Sequence, residues 1–569
     1  MTDASGTPTD PEPSLSAPMI EQSGMGKASV ILATGTAVSR LLGFVRGAVL
    51  TAAIGQVASA SGNAFGIANQ LPNNIYALVA GGILSAVLVP QIVKAGLHKD
   101  GGQQFINRVV TLGVVAFAVI TAIATVAAPL LVQVYAQQAA EGGRGFSAEA
   151  IGLATALAYW CLPQIFFYAL YSLLSEVLNA RRVFGPFTWA PVLNNVVAIG
   201  GLAAFMLSFG GADENSSTAV WGLDRIVLLG GTTTLGVVTQ ALVLLLFWRR
   251  AGLRFRPNFR WKGVGLAATG KAAGWLFGMV LITQLAGVFQ SRVASLADGA
   301  GILALQNAWL VFMLPHSVIA VSIATAYFTQ MSGHAAAGDL VAVRADLSAS
   351  LRGIGLLTVF ATVALAVVAY PFARIYESRG FDGVQAMGNV ILAFLPGLVL
   401  FSALFVIQRV FYALDDTRTP FFMQCLQSGL FIAGSLLCTR LPAEMIGVGI
   451  AAVTTIAGSA QAVLAIVLVR RRLGGVDGRL VLTRHLQYLG LAFLSALPGL
   501  VVLWLLGGVD GDGFAQAGIA PALLSIAASG SVMLLVYLGL LRLFRNPELT
   551  AAAGPVLSRV RRRRSSSER

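Results

Sequence analysis

The chain has 569 residues, 56% of them apolar and 11% charged, with a mean hydropathy of +0.79. A soluble domain carries about 25% charged residues, so too little charge is present here for a water-facing surface, which excludes a soluble enzyme and a disordered scaffold. Lys and Arg outnumber Asp and Glu by 38 to 24, a net +14; in so apolar a chain the excess reads as cytoplasmic anchoring at a membrane rather than nucleic-acid binding.

Residues 1–26 are rich in Ser, Pro, Thr and Gly and hold no Lys or Arg. They lack the basic and apolar regions of a secretory signal and are expected to form a disordered cytoplasmic tail. Fourteen apolar runs of spanning length follow, at 28–55, 64–93, 106–136, 149–179, 185–209, 222–248, 266–297, 302–330, 349–376, 386–412, 420–440, 445–469, 484–508 and 517–542. Runs of about 20 residues suit membrane helices, whereas barrel strands alternate over about 10. The chain ends in a basic stretch at 559–569, expected in the cytoplasm. The three cysteines lie in apolar stretches and the four histidines are scattered, so neither a disulfide framework nor a metal cluster is indicated, and no cofactor is expected.

Loop charges orient the spans. Arg249, Arg250, Arg254, Arg256, Arg260 and Lys262 follow span six; Arg470, Arg471, Arg472, Arg479 and Arg484 follow span twelve; Arg181 and Arg182 follow span four. All follow even-numbered spans and so share one face, while the opposite loops are poor in cations. The positive-inside rule then puts both termini in the cytoplasm.

Two motifs recur about six spans apart. Leu71-Pro72-Asn73 resembles Leu314-Pro315-His316, at an offset of 243, and Glu176–Pro186 resembles Arg409–Pro420, at an offset of 234. An even offset keeps both halves in the same orientation, the parallel repeat of a secondary transporter. The expected fold is an all-α polytopic membrane protein of about 14 helices, two parallel six-helix lobes plus an appended pair. The expected boundaries are 1–26 for the N-terminal tail, 27–250 and 251–475 for the lobes, 476–545 for the pair and 546–569 for the basic tail.

An ionisable group at mid-span costs about 2.5–3.5 kcal/mol on insertion scales, so it usually faces a cavity or a partner. Span one carries Arg40 and Arg46 with no carboxylate beside them. Six residues rise about 9 Å and turn about 240°, so the pair can line one wide cavity. Arginine's planar fork suits phosphate, which points to an amphiphilic anion of the phospholipid or polyprenyl-diphosphate kind. Arg292 in span seven stands six residues before Asp298, leaving two readings, cavity ligand or ion pair. Glu176, Arg409, Asp415, Asp416 and Arg418 sit at span ends and read as helix-end and turn chemistry. No nucleotide-binding or hydrolytic motif is present, so the chain is not expected to be an enzyme.

Ser39-Arg40-Leu41-Leu42-Gly43-Phe44-Val45-Arg46 resembles the first-span signature of the MurJ/MviN family, the lipid II flippases of bacterial peptidoglycan synthesis. Asn63-Ala64-Phe65 followed by Leu71-Pro72-Asn73 is similar to that family's second span. Leu178–Arg181 leading to Ala190–Asn194, and Phe411–Pro420, are similar to its junction motifs. The resemblance implies the multidrug/oligosaccharidyl-lipid/polysaccharide exporter fold, alternating access and a groove at the appended pair for the polyprenyl tail. It carries diphosphate binding over to Arg40 and Arg46, and makes Asn63 and Asn73 further candidates for substrate contact. Its implied partners are lipid II or a related polyprenyl-diphosphate glycolipid, membrane lipid and cell-wall synthesis proteins, with no nucleic acid. The implied location is the bacterial plasma membrane, in an actinobacterial branch.

The pattern departs from the family at several points. Gly47 stands where an aspartate is usual, Asn63 where an acidic residue is usual, and Trp309-Leu310 where an Asp-Arg pair is usual. Arg292 is the expected replacement for the missing span-eight arginine, pointing into the cavity opposite Arg40 and Arg46. Other readings are export of another polyprenyl-linked glycan, cation-coupled drug export on the same fold, and a non-transporting scaffold for cell-wall synthesis proteins. Drug–cation antiport calls for mid-span carboxylates, whereas the mid-span charges here are arginines.

Overall fold

The computed structural model describes residues 20–80, 102–140, 143–181, 183–250, 252–260, 270–508 and 510–550. The Gly81-Gly82 pair, which the sequence offers as a flexible point in the second expected span, the rest of that span and the basic tail 559–569 lie outside the described residues. The elements are α1 (Ile20–Ile54), α2 (Ala60–Ala80), α3 (Gln103–Val126), α4 (Ala148–Ala180), α5 (Phe184–Phe209), α6 (Leu223–Trp248) and α7 (Gly270–Ala294). They continue with α8 (Ile302–Ala336), α9 (Leu340–Val367), α10 (Phe381–Ala413), α11 (Arg418–Cys438), α12 (Ala443–Leu473), α13 (Gly478–Leu505) and α14 (Ile519–Leu543). Among the described residues, 13 helices are long and apolar enough to cross a membrane; α2, described only to Ala80, is the remaining expected span.

The packing repeats with a period of six helices. α1 packs on α5 as α7 packs on α11, and α5 on α6 as α11 on α12. α2 packs on α4 as α8 on α10, and α3 on α4 as α9 on α10. Pro72 lies inside α2 and Pro315 inside α8. Proline removes a backbone donor and clashes with the preceding turn; in α8 the ladder widens after Pro315 into a π-turn over His316–Ala320.

A further correspondence was not legible as a motif. The third and ninth expected spans, 106–136 and 349–376, are each broken rather than continuous. α3 ends before the short helix Ala128–Tyr135, and α9 before the short helix Ala369–Tyr376. Pro129 and Pro371 sit in the first turns of these pieces, where a missing N–H is harmless.

The appended pair rides on the second half. α13 packs on α9, and α14 packs on α13 and on Ala369–Tyr376. Leu356, Val359 and Val363 of α9 form a separate apolar cluster with Tyr488, Met533 and Tyr537. The Tyr537 hydroxyl donates to the Leu356 carbonyl at 2.8 Å, closing the contact with a polar bond. Leu497, Trp504, Leu505 and Leu535 are exposed on the outside of the pair, as a lipid-facing surface requires.

Two outcomes should separate packing from hydrogen bonding at this joint. Tyr537→Phe removes one interhelical bond, worth about 0.6 kcal/mol on average in membrane proteins. Tyr537→Ala leaves a void and should cost about 3–5 kcal/mol. Chemical unfolding in detergent measures both, and an equal loss in the two variants would contradict this account.

Candidate functional site between the two halves

α1 is tied to the first half at the turn that carries Arg40. The Asn195 amide of α5 donates to the Ser39 carbonyl at 2.9 Å. Arg40 is exposed and Arg46 partly buried. Neither makes a hydrogen bond or ion pair with another described residue. Arg40 lies within electrostatic reach of His316 on α8, in the other half. Arg46 lies within reach of Tyr168 and Cys161 on α4, inside the first half. The two guanidinia therefore serve different walls, as their angular separation on α1 requires.

His316 is buried and packed. Its Nδ1 is 3.1 Å from the Ser402 hydroxyl, and its ring meets the edges of Phe401 and Phe405 at 4.7 and 5.3 Å. Among the helix-end residues, Asp416 accepts from the Thr419 backbone N–H at 2.9 Å and from its hydroxyl at 2.6 Å. That bond caps the start of α11. Arg409 lies over the rings of Phe405, Phe328 and Tyr412, and Arg418 over those of Trp275 and Phe422. Asp416 thus serves the turn before α11, while Arg409 and Arg418 stack on aromatic rings.

At the end where α1 meets α2, the halves are sealed against each other. The Ala58 N–H donates to the Gly299 carbonyl at 3.1 Å, and the Asn307 amide to Gln56 Oε1 at 2.8 Å. The Arg379 guanidinium donates to the Val57 carbonyl, while the Val57 N–H donates to Glu377 at 3.3 Å. Deeper in, Gln306 donates to the Gly66 carbonyl at 3.2 Å and to Gln70 Oε1 at 2.7 Å, and Gln70 passes the chain on to the Ser291 hydroxyl at 2.6 Å. Phe44 of α1 meets Phe372 and Tyr376 edge-on at 5.8 and 5.1 Å. Among the described residues, the hydrogen bonds between residues 27–250 and 262–475 all gather in the part of the molecule nearer this end.

Gly47 has its reason here. A Cβ at Gly47 would stand 3.1 Å from the Tyr376 ring and 3.3 Å from the Asn307 side chain. An aspartate, usual at this position in the resembling family, would need these neighbours to give way by a few tenths of an ångström.

Two expected site residues, Arg292 and Asn63, are placed differently from the sequence reading. Arg292 does not face Arg40 and Arg46, and it does not pair with Asp298. Its guanidinium donates to the carbonyls of Gln133 and Val134, at 2.9 and 3.3 Å, at the end of the short helix Ala128–Tyr135. The last carbonyls of a helix lack internal partners and carry partial negative charge, so they hold the cation at the rim. Asn63 is buried in the seal, where its Oδ1 accepts from the Leu303 N–H at 3.4 Å and its amide abuts Gly301. It joins the halves rather than facing open space. Asn73 is exposed on α2 and makes no hydrogen bond with another described residue; its neighbour Asn74 donates to the Tyr135 hydroxyl at 3.3 Å.

Sequence reasoning missed Glu377 and Arg379, which stand in a loop and break no apolar run. It also missed a cavity of about 410 Å³ between α2 and the second half, lined by polar amides and by Trp309. A run of glutamines on α7, Gln284 and Gln290, was the available signal.

This architecture is that of a multi-pass membrane transporter, and solved structures share it. A structure described as "Lipid II flippase MurJ, inward closed conformation" matches with a TM-score of 0.68 at 18% identity, covering 93% of this chain and 100% of that one. An inward-facing multidrug resistance MATE family transporter of the MOP superfamily matches at 0.58 and 16%, covering 77% and 95%. The sequence profile of the lipid II flippase MurJ family matches residues 52–539, and the chain belongs to that family. It is a transporter rather than an enzyme. The probable lipid II flippase MurJ of Rhizobium tropici is 28% identical over 448 residues, 76% of this chain and 79% of that protein. That of Vibrio cholerae is 27% identical over 407 residues, 69% and 74%.

The seal carries its own pH dependence. Burial pushes the Glu377 carboxyl above its ordinary value of 4.5, against the opposing pull of the Arg379 backbone N–H and guanidinium, the Val57 N–H and Arg374. A raised value means that the sealed form prefers the protonated acid. The contribution is fully present below the ordinary value and is lost as pH rises through the raised one. Spin labels at exposed Ala60 and Asp298 should therefore separate further as pH rises through that window. Glu377→Gln should hold them together and remove the dependence; an unchanged pH profile in that variant would refute the assignment.

Proposed function

We propose that the chain moves lipid II, an undecaprenyl-diphosphate-linked peptidoglycan precursor, from the cytoplasmic to the periplasmic leaflet by alternating access. Arg40 and Arg46 bind the diphosphate. The observation that carries this reading is a pair of mid-span guanidinia on α1, Arg40 exposed and Arg46 partly buried, without an anionic partner among the described residues. An unpaired cation at membrane depth is stable only against an aqueous cavity or an anionic ligand. The profile match begins at residue 52, beyond both arginines, so their role rests on their own chemistry and on the resemblance of Ser39–Arg46 to the family signature.

The rocking bodies in this reading are 28–250 and 262–475, joined by the basic connector 249–262, with 476–545 travelling with the second. The basic loops after spans six and twelve face the cytoplasm together with both termini, and the sealed end faces the periplasm. The membrane is the bacterial plasma membrane. The seal then describes the inward-facing state, which receives substrate from the cytoplasmic leaflet.

A charge-assisted hydrogen bond contributes about 1.5–3 kcal/mol, so losing one guanidinium should weaken diphosphate binding at least about tenfold. Arg40→Ala and Arg46→Ala should each fail to complement depletion of the wild-type protein. Lipid-linked precursor should then accumulate on the cytoplasmic side while the variant reaches normal membrane levels. Full complementation by both single variants would reject the site, and normal sidedness on depletion itself would reject the flippase reading.

A further inference from the structure

α1 meets α5 along a seam of small residues. A Cβ at Gly35 would stand 2.5 Å from the Thr188 methyl, and one at Gly43 would stand 3.9 Å from the Asn195 amide nitrogen. The Thr188 hydroxyl is spent on the Phe184 carbonyl at 2.7 Å, which leaves its methyl to the contact. Between the two glycines sits Ser39, whose carbonyl accepts the Asn195 amide at 2.9 Å. A carbonyl has a second lone pair beyond the one its own helix uses, so the bond leaves the ladder of α1 intact.

α5 is itself held from other sides. The Asn194 amide donates to Gln240 Oε1 on α6 at 2.7 Å, and the Tyr171 hydroxyl of α4 donates to the Phe187 carbonyl at 2.8 Å. Adjacent residues on a helix point about 100° apart, so Asn194 serves α6 while Asn195 serves α1. The amide that reaches α1 thus comes from a braced helix.

The register on α1 links this bond to the arginines. Ser39 and Arg46 are seven residues apart, about 20° short of two full turns. Gly35 and Gly43 lie about 40° to either side of Ser39. These four residues share the face turned to the first half, where Arg46 lies within electrostatic reach of Tyr168 and Cys161. Arg40 follows Ser39 by about 100° and leaves that face, within reach of His316 in the second half. The direction of both guanidinia is therefore set by one quantity, the rotation of α1 about its own axis. A group about 6 Å from a helix axis moves about 2 Å when the helix turns by about 20°, and a hydrogen bond does not survive that displacement. A bond to a backbone carbonyl fixes the rotation directly, since that oxygen has no rotamer to absorb it.

We infer that Asn195 is a positioning residue for substrate binding: through the Ser39 carbonyl it holds α1 at the rotation that presents Arg40 and Arg46 to the diphosphate. The inference rests on the diphosphate reading above and deepens it. Asn195 stands just outside the Ala190–Asn194 motif and acts through α1 rather than on the substrate.

The test measures the affinity of a polyprenyl diphosphate for the full chain in lipid nanodiscs, together with the fraction of protein that binds. Asn195→Leu keeps the bulk and removes the donor; Asn195→Ala removes both. Each should raise Kd about threefold to tenfold at an unchanged binding-competent fraction. Asn195→Gln, which keeps the donor, should recover most of the affinity. In the Arg46→Ala background the effect of Asn195→Leu should shrink, because one of the two groups it places is gone. A purely structural role would lower the competent fraction and leave Kd alone. That result, an unchanged Kd in both donor-less variants, or the same fold-loss with and without Arg46 would overturn the inference. The diphosphate reading fails separately, when Arg40→Ala and Arg46→Ala leave the affinity at its wild-type value.

Discussion

A polar group at membrane depth has no bulk water to fall back on, so it must find another polar group or face a wet cavity. That constraint organises this chain. Several hydrogen-bonding side chains that interrupt the apolar helices find their partners elsewhere in the fold. Asn195 holds the backbone of α1, Gln306 and Gln70 pass bonds between the halves, and Ser402 receives His316. Arg40, Arg46, Gln284 and Gln290 make no hydrogen bond with another described residue.

Much of this was legible in the sequence because it is periodic or cumulative. Apolar run length gives the spans, since that signal adds over many residues. The duplication was visible only at its two proline motifs, yet the packing repeats helix for helix. The broken third and ninth helices show why more was not read. A proline in the first turn of a short helix looks, in sequence, like one inside a long span.

The seal was opaque for another reason. Its bonds join side chains to backbone carbonyls and N–H groups hundreds of residues away, and backbone partners leave no mark in a sequence. Arg292 illustrates this. Its place inside an apolar run was correctly read as needing a partner, but the carbonyls of Gln133 and Val134 carry no residue-type signature. Asn63 likewise reads as a free amide until Leu303 is brought against it. Gly47 is intelligible only once Tyr376 is seen 3.1 Å from where a side chain would begin.

The two short helices, Ala128–Tyr135 and Ala369–Tyr376, close the same end from opposite halves, and each is gripped by the other half. Arg292 of the second half holds the end of the first helix, and Val57 of the first half bonds Glu377, just past the end of the second. The closure is therefore a reciprocal handshake made of chemically unlike hands. Redundancy of this kind has a genetic signature. Each clasp can drift while the other holds, so their losses are synthetic, mild singly and severe together. The parts of the seal are free to diverge in sequence while the closure itself is retained.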